Sequence, residues 1–377
     1  SAASDVYKRQ GYVLFAFFFY LFRLLPINRQ KVFFVATHDD SKEGNIGIVA
    51  DAIKNQFPSM KMVYLTKKDG IRRPFSFFFG KAFHMATATV IFLDNEFMPM
   101  AYMKFNKNVK VVQLWHGTGT IKKFGLDSDT GEVKRLAKKA NENITHLIVS
   151  SECTAKWYKS AFGVDDEKIF PIGLPRTDLM LDESKRQKMQ ERFFGQYPDL
   201  RGKKITLYAP TFRDSQVENP EICLDFDSLN QCMGENEVLL IRLHPHVAEH
   251  CPVGIWDMYP DKIRNVSDYP GVATLLSVAD QLITDYSSII YEYCLLERKM
   301  IFYAYDYEVF QKDGRNFYED YEKFVPGMIV YTQPELEKNW HTAYEDDSQR
   351  EQFCRRIFKY QDKNAVNRLL CLIFDKK

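Results

Sequence analysis

The feature that most constrains the fold is a regular alternation of short, β-branched apolar runs with helical patterns. Strands spaced in this way form parallel sheets with crossover helices. In the first half we predict strands at Lys31–Ala36, Lys61–Thr66, Thr89–Asp94, Val109–Leu114, Ile144–Ser150 and Lys168–Ile172. In the second half we predict strands at Lys204–Ala209, Val238–Leu243, Lys262–Val266, Gln281–Thr284, Met300–Ala304 and Met328–Tyr331. The chain therefore has the pattern of an α/β protein in which one architecture occurs twice.

Length and punctuation indicate two domains. A chain of 377 residues is too long for a single hydrophobic core. Gly173–Asp178 lies between the two series of strands and contains Gly and Pro, so we place the boundary there. We predict an apolar N-terminal segment (1–30), two doubly wound domains facing a central cleft (31–175 and 176–347), and a helical segment that packs back across them (348–377).

The charge of the chain is balanced, with 51 Lys and Arg against 50 Asp and Glu. Such a balance produces no general positive field, so we expect no nucleic-acid partner. The seven cysteines show no CxxC spacing, which gives no zinc or disulfide framework and favours reduced cytoplasmic thiols. Any site for an anion must therefore come from local placement of charge.

Two aromatic stretches suggest a membrane surface. Gly11–Pro26 is apolar as far as Phe22, which is short of the about 20 residues that a membrane span needs. Three interpretations stay open: a helix packed on the first domain, a segment in the membrane interface, or a signal peptide without a recognisable cleavage site. Ile71–Lys104 also combines basic and large apolar residues, which suits either anionic lipid headgroups or ordinary helix core. Because the two stretches are similar, we favour the membrane interface for Gly11–Pro26. Ser1–Gln10 has no pattern, and we leave it out of the fold prediction.

The stretch Val109–Asp127 carries the first candidate site. His116 follows a predicted strand, and Gly117, Thr118 and Gly119 come directly after it, with a pair of lysines beyond. Open α/β sheets bind ligands beyond the carboxyl ends of their strands, so we predict a site here. The alternative is a strand-to-helix turn whose histidine has no function.

Two strand ends in the second half carry basic side chains. Tyr208–Asp214 brings Thr211 and Arg213 to the end of a strand, where an arginine can clamp a phosphate or simply lie on the surface. Arg242 and His244 point to the same side of the next strand, which suits a diphosphate. The His-Pro-His sequence also suggests a metal site. No carboxylate stands beside it, so we expect no metal there.

The sharpest phosphate site is predicted at Asp285–Glu292. A strand ends near Asp285, and Ser287 or Ser288 begins a helix whose N–H groups, hydroxyls and dipole favour an anion. Glu292 lies one turn further and can accept a hydrogen bond from a sugar or glycerol hydroxyl. The alternative is a serine that only caps the helix.

Basic residues, rather than a metal or a cofactor, are expected to hold the anion. Arg176 in the hinge faces the predicted cleft, unless it is a solvated linker arginine. The chain has no GxxxxGK[ST] and no GxGxxG, and its two Asp-x-Asp pairs fall in a loop and at a helix start. We therefore predict transfer of a group activated by a diphosphate, without metal or cofactor.

Five motifs together resemble the CDP-glycerol glycerophosphotransferases of wall teichoic acid synthesis. They occur in the order and spacing of that family: Gln113–Lys123 (QLWHGTGTIKK), Gly173–Asp178 (GLPRTD), Tyr208–Asp214 (YAPTFRD), Arg242–His246 (RLHPH) and Asp285–Glu292 (DYSSIIYE). The resemblance implies a GT-B fold, in which the first Rossmann-like domain takes the acceptor and the second holds the CDP-alcohol donor.

The resemblance also implies roles for single residues. His116 resembles the catalytic base, and His244 resembles a second essential histidine at the donor phosphates. The donor-binding positions of the family fall on Arg176, Thr211, Arg242, Ser287, Ser288 and Glu292. To these we add Gly117, Thr118 and Arg213 as donor- or phosphate-binding residues and Asp285 as an orienting residue.

The implied reaction moves glycerol phosphate from CDP-glycerol to a lipid-linked disaccharide, of the undecaprenyl-diphosphate GlcNAc-ManNAc type, and releases CMP. The resemblance implies a peripheral protein on the cytoplasmic face of a bacterial plasma membrane, and a homo-oligomer stays open. Gly119-Thr120 replace the Pro-Leu of many polymerases, so we expect a primase that adds the first glycerol phosphate. The alternatives are a polymerase or ribitol-phosphate transferase of the family, a nucleotide-sugar GT-B glycosyltransferase, and a scaffold with a decayed cleft, which the intact histidines argue against.

Overall fold

The structure is a computed structural model that describes residues 2–69, 73–313, 317–344 and 346–374. Its internal contacts divide the chain into two compact units. The first unit comprises residues 1–119, 123–178 and 357–377, and the second comprises residues 120–122 and 179–356. The boundary that we predicted at residue 175 lies just before the point where the main chain leaves the first unit.

Each unit is built on a parallel six-stranded sheet within the described residues. The first sheet has the order β2-β1-β3-β4-β5-β6, and the second has the order β12-β11-β10-β7-β8-β9. The strands of the first sheet are β1 (Asn28–Ala36), β2 (Lys61–Thr66), β3 (Ala88–Leu93), β4 (Lys110–Gln113), β5 (His146–Ile148) and β6 (Ile169–Phe170). The strands of the second are β7 (Lys204–Tyr208), β8 (Glu237–Ile241), β9 (Ile263–Asn265), β10 (Gln281–Thr284), β11 (Lys299–Tyr303) and β12 (Met328–Val330).

Helices connect these strands. In chain order they are α1 (Ala2–Phe22), α2 (Asn45–Gln56), α3 (Ala82–Thr87), α4 (Gly131–Asn141), α5 (Glu152–Phe162), α6 (Pro175–Leu181), α7 (Glu183–Gln196), α8 (Phe226–Cys232), α9 (Pro245–Glu249), α10 (Val272–Val278), α11 (Ile290–Tyr293), α12 (Tyr307–Asp313), α13 (Tyr321–Phe324), α14 (Gln333–Asn339), α15 (Ser348–Ile357) and α16 (Ala365–Phe374). A π-helical turn, Ser76–Lys81, precedes α3.

The α/β fold class and the strand predictions are confirmed, since each predicted strand overlaps one observed strand. The physical reason is that central parallel strands are covered on both faces and must be apolar throughout. Every residue of β8 and of β10 is buried, for example. A continuous run of Val, Leu and Ile is therefore a reliable sign of a strand here.

Two helix predictions need correction. Residues 2–10, which we left out of the fold prediction, form the start of α1. The C-terminal segment predicted as one helical stretch is broken into α15 and α16, with Lys363 at a φ of 49° between them. The carboxylate of Asp178 accepts hydrogen bonds from the N–H groups of Ala365 and Val366, both at 3.0 Å. A cap supplied by a distant part of the chain thus begins α16, and the local sequence does not reveal it.

The first helix, α1, presents apolar side chains on two faces. Phe15 and Phe19 are buried in the core of the first unit. Elsewhere on its surface α1 exposes Val13, Leu14, Phe17, Tyr20 and Leu21, and Leu24 and Leu25 are exposed just after the helix ends. No helix in the described ranges is long and apolar enough to cross a membrane.

Candidate active site

The first unit gathers three polar side chains at the ends of neighbouring strands. The strands β1, β3 and β4 lie side by side, and His38, Asp94 and His116 follow shortly after their carboxyl ends. Open α/β folds bind ligands at such an edge. The rings of His38 and His116 stack with their centroids 3.6 Å apart and their planes 7° apart.

Hydrogen bonds hold the chain that leads to His116. Trp115 has a left-handed φ of 57°, a conformation that costs a non-glycine residue on the order of 1–3 kcal/mol. Its N–H donates to the side chain of Gln113 at 2.9 Å, and its carbonyl accepts from the amide of Asn45 at 3.1 Å. These bonds offset the strain and fix the loop.

A single hydrogen bond selects the tautomer of His116. Its Nδ1 lies 2.9 Å from the carbonyl oxygen of Asp94. Because a carbonyl can only accept, Nδ1 carries the proton and Nε2 keeps its lone pair. Burial, together with the nearby His38 and Arg176, lowers the pKa of His116 to about 3. The ring is therefore neutral at pH 7, with a proton acceptor at Nε2.

Asp94 positions both imidazoles. Its carboxylate accepts hydrogen bonds from the N–H groups of Thr37 and His38 at 3.1 Å and of Asp39 at 2.9 Å. Burial raises the pKa of Asp94 to about 6 and lowers the pKa of His38 to about 4. The side chain of Asp94 thus holds the loop after β1, while its carbonyl holds His116.

The other predicted residues of the first unit support the same loop. The Arg176 guanidinium, at the start of α6, donates to the carbonyl of His116. The carbonyl of Gly117 accepts from the hydroxyl of Tyr158 at 2.7 Å, and Thr118 is completely buried. The structure therefore brings Arg176 to His116, and the donor-binding roles of Arg176, Gly117 and Thr118 stay predictions.

The second unit places its motifs on three adjacent strands. The strands β10, β7 and β8 are neighbours, and Asp285, Thr211 and Arg242 follow them. Asp285 is buried, and its carboxylate accepts the N–H of Thr211 at 2.9 Å and that of Tyr286. Asp285 thus joins the loops that follow β10 and β7.

Arg213 is engaged by carboxylates. Its guanidinium lies 2.8 Å from Asp285 and 2.8 Å from Asp306, and it also donates to the carbonyl of Thr211. The side chain is only 8% exposed. The predicted phosphate clamp does not fit this geometry, because a buried arginine held between two carboxylates has its charge already compensated. Arg213 instead positions the loops of the second unit.

His244 has the opposite tautomer from His116. Its Nδ1 accepts the N–H of His246 at 3.2 Å, so in the neutral ring Nε2 carries the proton. The side chain is exposed, and such an N–H can donate to a phosphate oxygen. Arg242, two residues earlier, donates to the carbonyl of Tyr269 at 2.7 Å. The phosphate-binding roles of His244 and Arg242 stay predictions.

The serine loop differs from the prediction in its helix. Ser287 and Ser288 lie before α11, which begins at Ile290 and has only four residues. The hydroxyl of Ser287 accepts from the N–H of Ile289 at 3.4 Å, so it caps a turn rather than the helix. So short a helix has a weak dipole, and an anion here would depend on hydroxyls and loop N–H groups. Glu292 is buried within α11.

Sequence reasoning misses three residues that organise these loops: His38, Asp94 and Asp306. Each follows a strand, namely β1, β3 and β11. The signal in the sequence is their position, since each lies within three residues of the end of a strand. Within the described residues no group of His, Cys, Asp and Glu could hold a metal ion.

Sequence comparison with known protein families shows which family the chain belongs to. The family model described as CDP-Glycerol:Poly(glycerophosphate) glycerophosphotransferase matches residues 17–375. The chain belongs to this family. Membership accounts for the five motifs, and the family prediction is confirmed.

Named relatives in this glycerophosphotransferase family include polymerases and primases. The chain is 36% identical over 331 residues to the teichoic acid poly(ribitol-phosphate) polymerase of Bacillus spizizenii, covering 86% of this chain and 52% of that protein. It is 31% identical to the teichoic acid ribitol-phosphate primase of that organism, over 92% of this chain and 91% of that protein. It is 32% identical to the teichoic acid glycerol-phosphate primase of Bacillus subtilis, over 86% of this chain and 82% of that protein. The chain thus spans about half the length of the polymerase.

Solved structures agree on the fold. The wall teichoic acid polymerase TagF superposes with a TM-score of 0.84 at 22% identity, covering 99% of this chain and 95% of that chain. At this identity the likeness concerns the fold alone. The predicted GT-B fold, with two doubly wound halves, is confirmed.

Proposed function

We propose that this glycerophosphotransferase moves glycerol phosphate from CDP-glycerol to a polyprenyl-diphosphate-linked disaccharide of the GlcNAc-ManNAc type and releases CMP. One observation carries the proposal: His116, in a motif at a strand end, is neutral and has an unprotonated Nε2. Such a nitrogen can take the proton of an attacking hydroxyl. The description of the family supports the class of donor.

In the proposed reaction, an acceptor hydroxyl attacks the β-phosphorus of CDP-glycerol. A new oxygen–phosphorus bond forms as the bond to CMP breaks, and the hydroxyl proton passes to Nε2 of His116. The negative charge of a bound diphosphate raises the pKa of a nearby imidazole, which makes it a stronger base than in the free protein. Arg242, His244 and the serine loop of the second unit would meet the charge on the transferred phosphoryl group and on CMP.

The proposed product carries one glycerol phosphate, as expected of a primase. Gly119 and Thr120 support this choice, and two of the relatives are named primases. A ribitol phosphate donor is the second candidate. It is favoured by the identities of 36% and 31% to proteins named for ribitol phosphate.

We also propose that the protein binds the cytoplasmic face of a bacterial plasma membrane. The exposed side chains of α1 lie next to two further exposed rings, those of Phe75 and Phe79. These two rings stack with their centroids 5.3 Å apart. The ring of Phe79 also packs against that of Phe22 in α1, with the two ring centroids 4.8 Å apart. We call the exposed apolar residues of α1, together with Leu24, Leu25, Phe75 and Phe79, the apolar surface. Arg29 follows α1 in the sequence, Arg73 precedes Phe75, and both are exposed. Exposed apolar side chains flanked by arginines suit a membrane with anionic lipids.

An assay of donor, acceptor and product tests the function. The purified protein is incubated with CDP-glycerol or CDP-ribitol and a synthetic lipid-linked disaccharide, and CMP release and product mass are measured. We expect CMP to be released from CDP-glycerol only when the acceptor is present. The product should carry one glycerol phosphate. Preference for CDP-ribitol would select the second candidate, and longer products would identify a polymerase. Absence of CMP release with both donors would reject the proposal.

A further inference from the structure

A cavity of about 340 Å³ lies beside α1 in the first unit, against the π-helical turn and the loop after β3. Its volume falls in the range of about 300–1,000 Å³ that is usual for ligand pockets. Aromatic and polar side chains that line it include Tyr12, Phe77, Phe78, Phe97, Thr37 and Glu96. None of the five family motifs contributes to this lining.

Two oxygen atoms of the lining residues lack hydrogen bonds within the described structure. They are Oγ1 of Thr37 and Oε1 of Glu96, and both are buried. A buried polar group without a partner costs about 1–3 kcal/mol, which a ligand hydroxyl would recover. Burial, followed by the charge of Asp129, raises the pKa of Glu96 to about 7. Aromatic rings beside a carboxyl group suit a sugar, because its C–H faces pack on rings while its hydroxyls need polar partners.

The cavity adjoins the residues that hold His116. The N–H of Thr37 donates to Asp94 at 3.1 Å, and the next residue, His38, stacks on His116. Glu96 follows shortly after Asp94, whose carbonyl accepts from His116. A ligand in the cavity would therefore be positioned by the same two loops that hold the imidazole.

The cavity also borders the apolar surface. Gly11 and Tyr12 line the cavity, and the next residues, Val13 and Leu14, belong to the apolar surface. Lys8 is exposed and lines the cavity as well. An apolar surface, a cation and an aromatic pocket with a carboxyl group match the prenyl chain, the diphosphate and the sugar of one lipid-linked molecule.

We infer that this cavity binds the sugar of the polyprenyl-diphosphate-linked acceptor, with Glu96 and Thr37 hydrogen-bonded to its hydroxyls. Lys8 contacts the diphosphate, and the prenyl chain stays in the membrane beside the apolar surface. The inference rests on the proposed function, because it names where the acceptor of that reaction binds. It adds Glu96 to the residues that determine acceptor specificity.

Gly11 offers a substitution that fills the cavity and preserves the helix. A Cβ at this position would lie 3.9 Å from Phe78, which is ordinary contact. In Gly11→Leu the acceptor KM, measured with a short-chain prenyl-diphosphate disaccharide, is expected to rise about tenfold or more, a loss of binding of about 1.4 kcal/mol. Gly11→Ala should raise it less. Gly195→Leu, at an exposed position of α7 where a Cβ meets nothing within 4 Å, is the matched control and should leave the KM unchanged.

Glu96→Gln tests the carboxyl group at nearly constant shape. We expect the acceptor KM to rise about tenfold, while the KM for CDP-glycerol stays the same. The exposed Glu142 provides the control, Glu142→Gln, in the same unit. Melting temperatures of all variants show whether each one is folded.

Binding of a fluorescent short-chain acceptor without any donor separates this inference from the proposed function. If Gly11→Leu and Glu96→Gln bind it as well as the unaltered protein, the cavity is not the acceptor site, whether or not CMP is released. If they lose only vesicle binding, the cavity takes membrane phospholipid and the inference is also overturned. Weaker acceptor binding by both variants supports it, even in a protein that fails to release CMP.

Discussion

At the scale of single residues, hydrogen bonds at Nδ1 give two histidines opposite chemical properties. Nδ1 of His116 donates to a carbonyl, so its Nε2 can accept a proton. Nδ1 of His244 accepts from a backbone N–H, so its Nε2 can donate. The first arrangement suits a general base, and the second suits a phosphate ligand. Neither follows from the sequence, because the partners are backbone atoms whose positions depend on the fold.

Nuclear magnetic resonance of the protein labelled with ¹⁵N-histidine tests these tautomers. Because the pKa of His116 is lowered to about 3, we expect it to stay neutral, with a proton on Nδ1, from about pH 8 down to about pH 5. His244 should carry its proton on Nε2 when it is neutral. Signals are assigned by single His→Asn variants. Titration of His116 with a midpoint near the ordinary value of about 6.5 would contradict the geometry.

Arg213 provides a prediction about stability. In Arg213→Met, Asp285 and Asp306 lose the cation between them, and breaking a buried pair in this way costs about 3–5 kcal/mol. We therefore expect the melting temperature of the second unit to fall by about 6–12 °C or more. The control variant is Arg201→Met, which breaks the exposed ion pair between Arg201 and Glu191, 3.0 Å apart. Equal, small shifts in Arg213→Met and Arg201→Met would show that Arg213 is not structural.

At the scale of elements, strands can be predicted from this sequence and several helices cannot. Buried parallel strands need continuous apolar runs, and these are visible in the sequence. Short helices such as α9 and α13 lack a full amphipathic pattern, and α16 begins where the distant Asp178 caps it. The start of α1 cannot be predicted, because its residues show no pattern before the apolar run begins.

The outer face of α1 provides a prediction about membranes. Replacing Phe17 of α1 and Leu24, which lies just after the helix, in Phe17→Asp/Leu24→Asp removes exposed apolar area and adds negative charge. Since burial of one large apolar side chain contributes about 1.5–3 kcal/mol, binding to vesicles with anionic lipid should weaken by at least about tenfold. Val253→Asp, at an exposed valine of the second unit, is the control and should bind as before. Unchanged sedimentation of the double variant with vesicles would exclude the apolar surface as the membrane contact.

At the scale of the whole molecule, the α/β fold follows from the alternation of apolar strands with helices, and the family follows from five motifs in a fixed order. The same reasoning locates His116 and Arg176, which the structure brings together. It misjudges Arg213, because a sequence shows an arginine after a strand but not the two carboxylates that receive it. It misses His38 and Asp94 because their loops match no motif and because the partners of both side chains are set by the fold.

The rate of acceptor-dependent CMP release in His116→Asn tests the central claim most directly. The asparagine amide can keep the hydrogen bond to the carbonyl of Asp94 but cannot take a proton. The kcat is expected to fall about 10²- to 10⁴-fold, with little change in the KM for CDP-glycerol. The control is His341→Asn, since His341 bonds to Glu237 at the amino end of β8, the edge opposite the predicted donor site. CMP release by His116→Asn at the rate of the unaltered protein would contradict the assignment of His116 as the base.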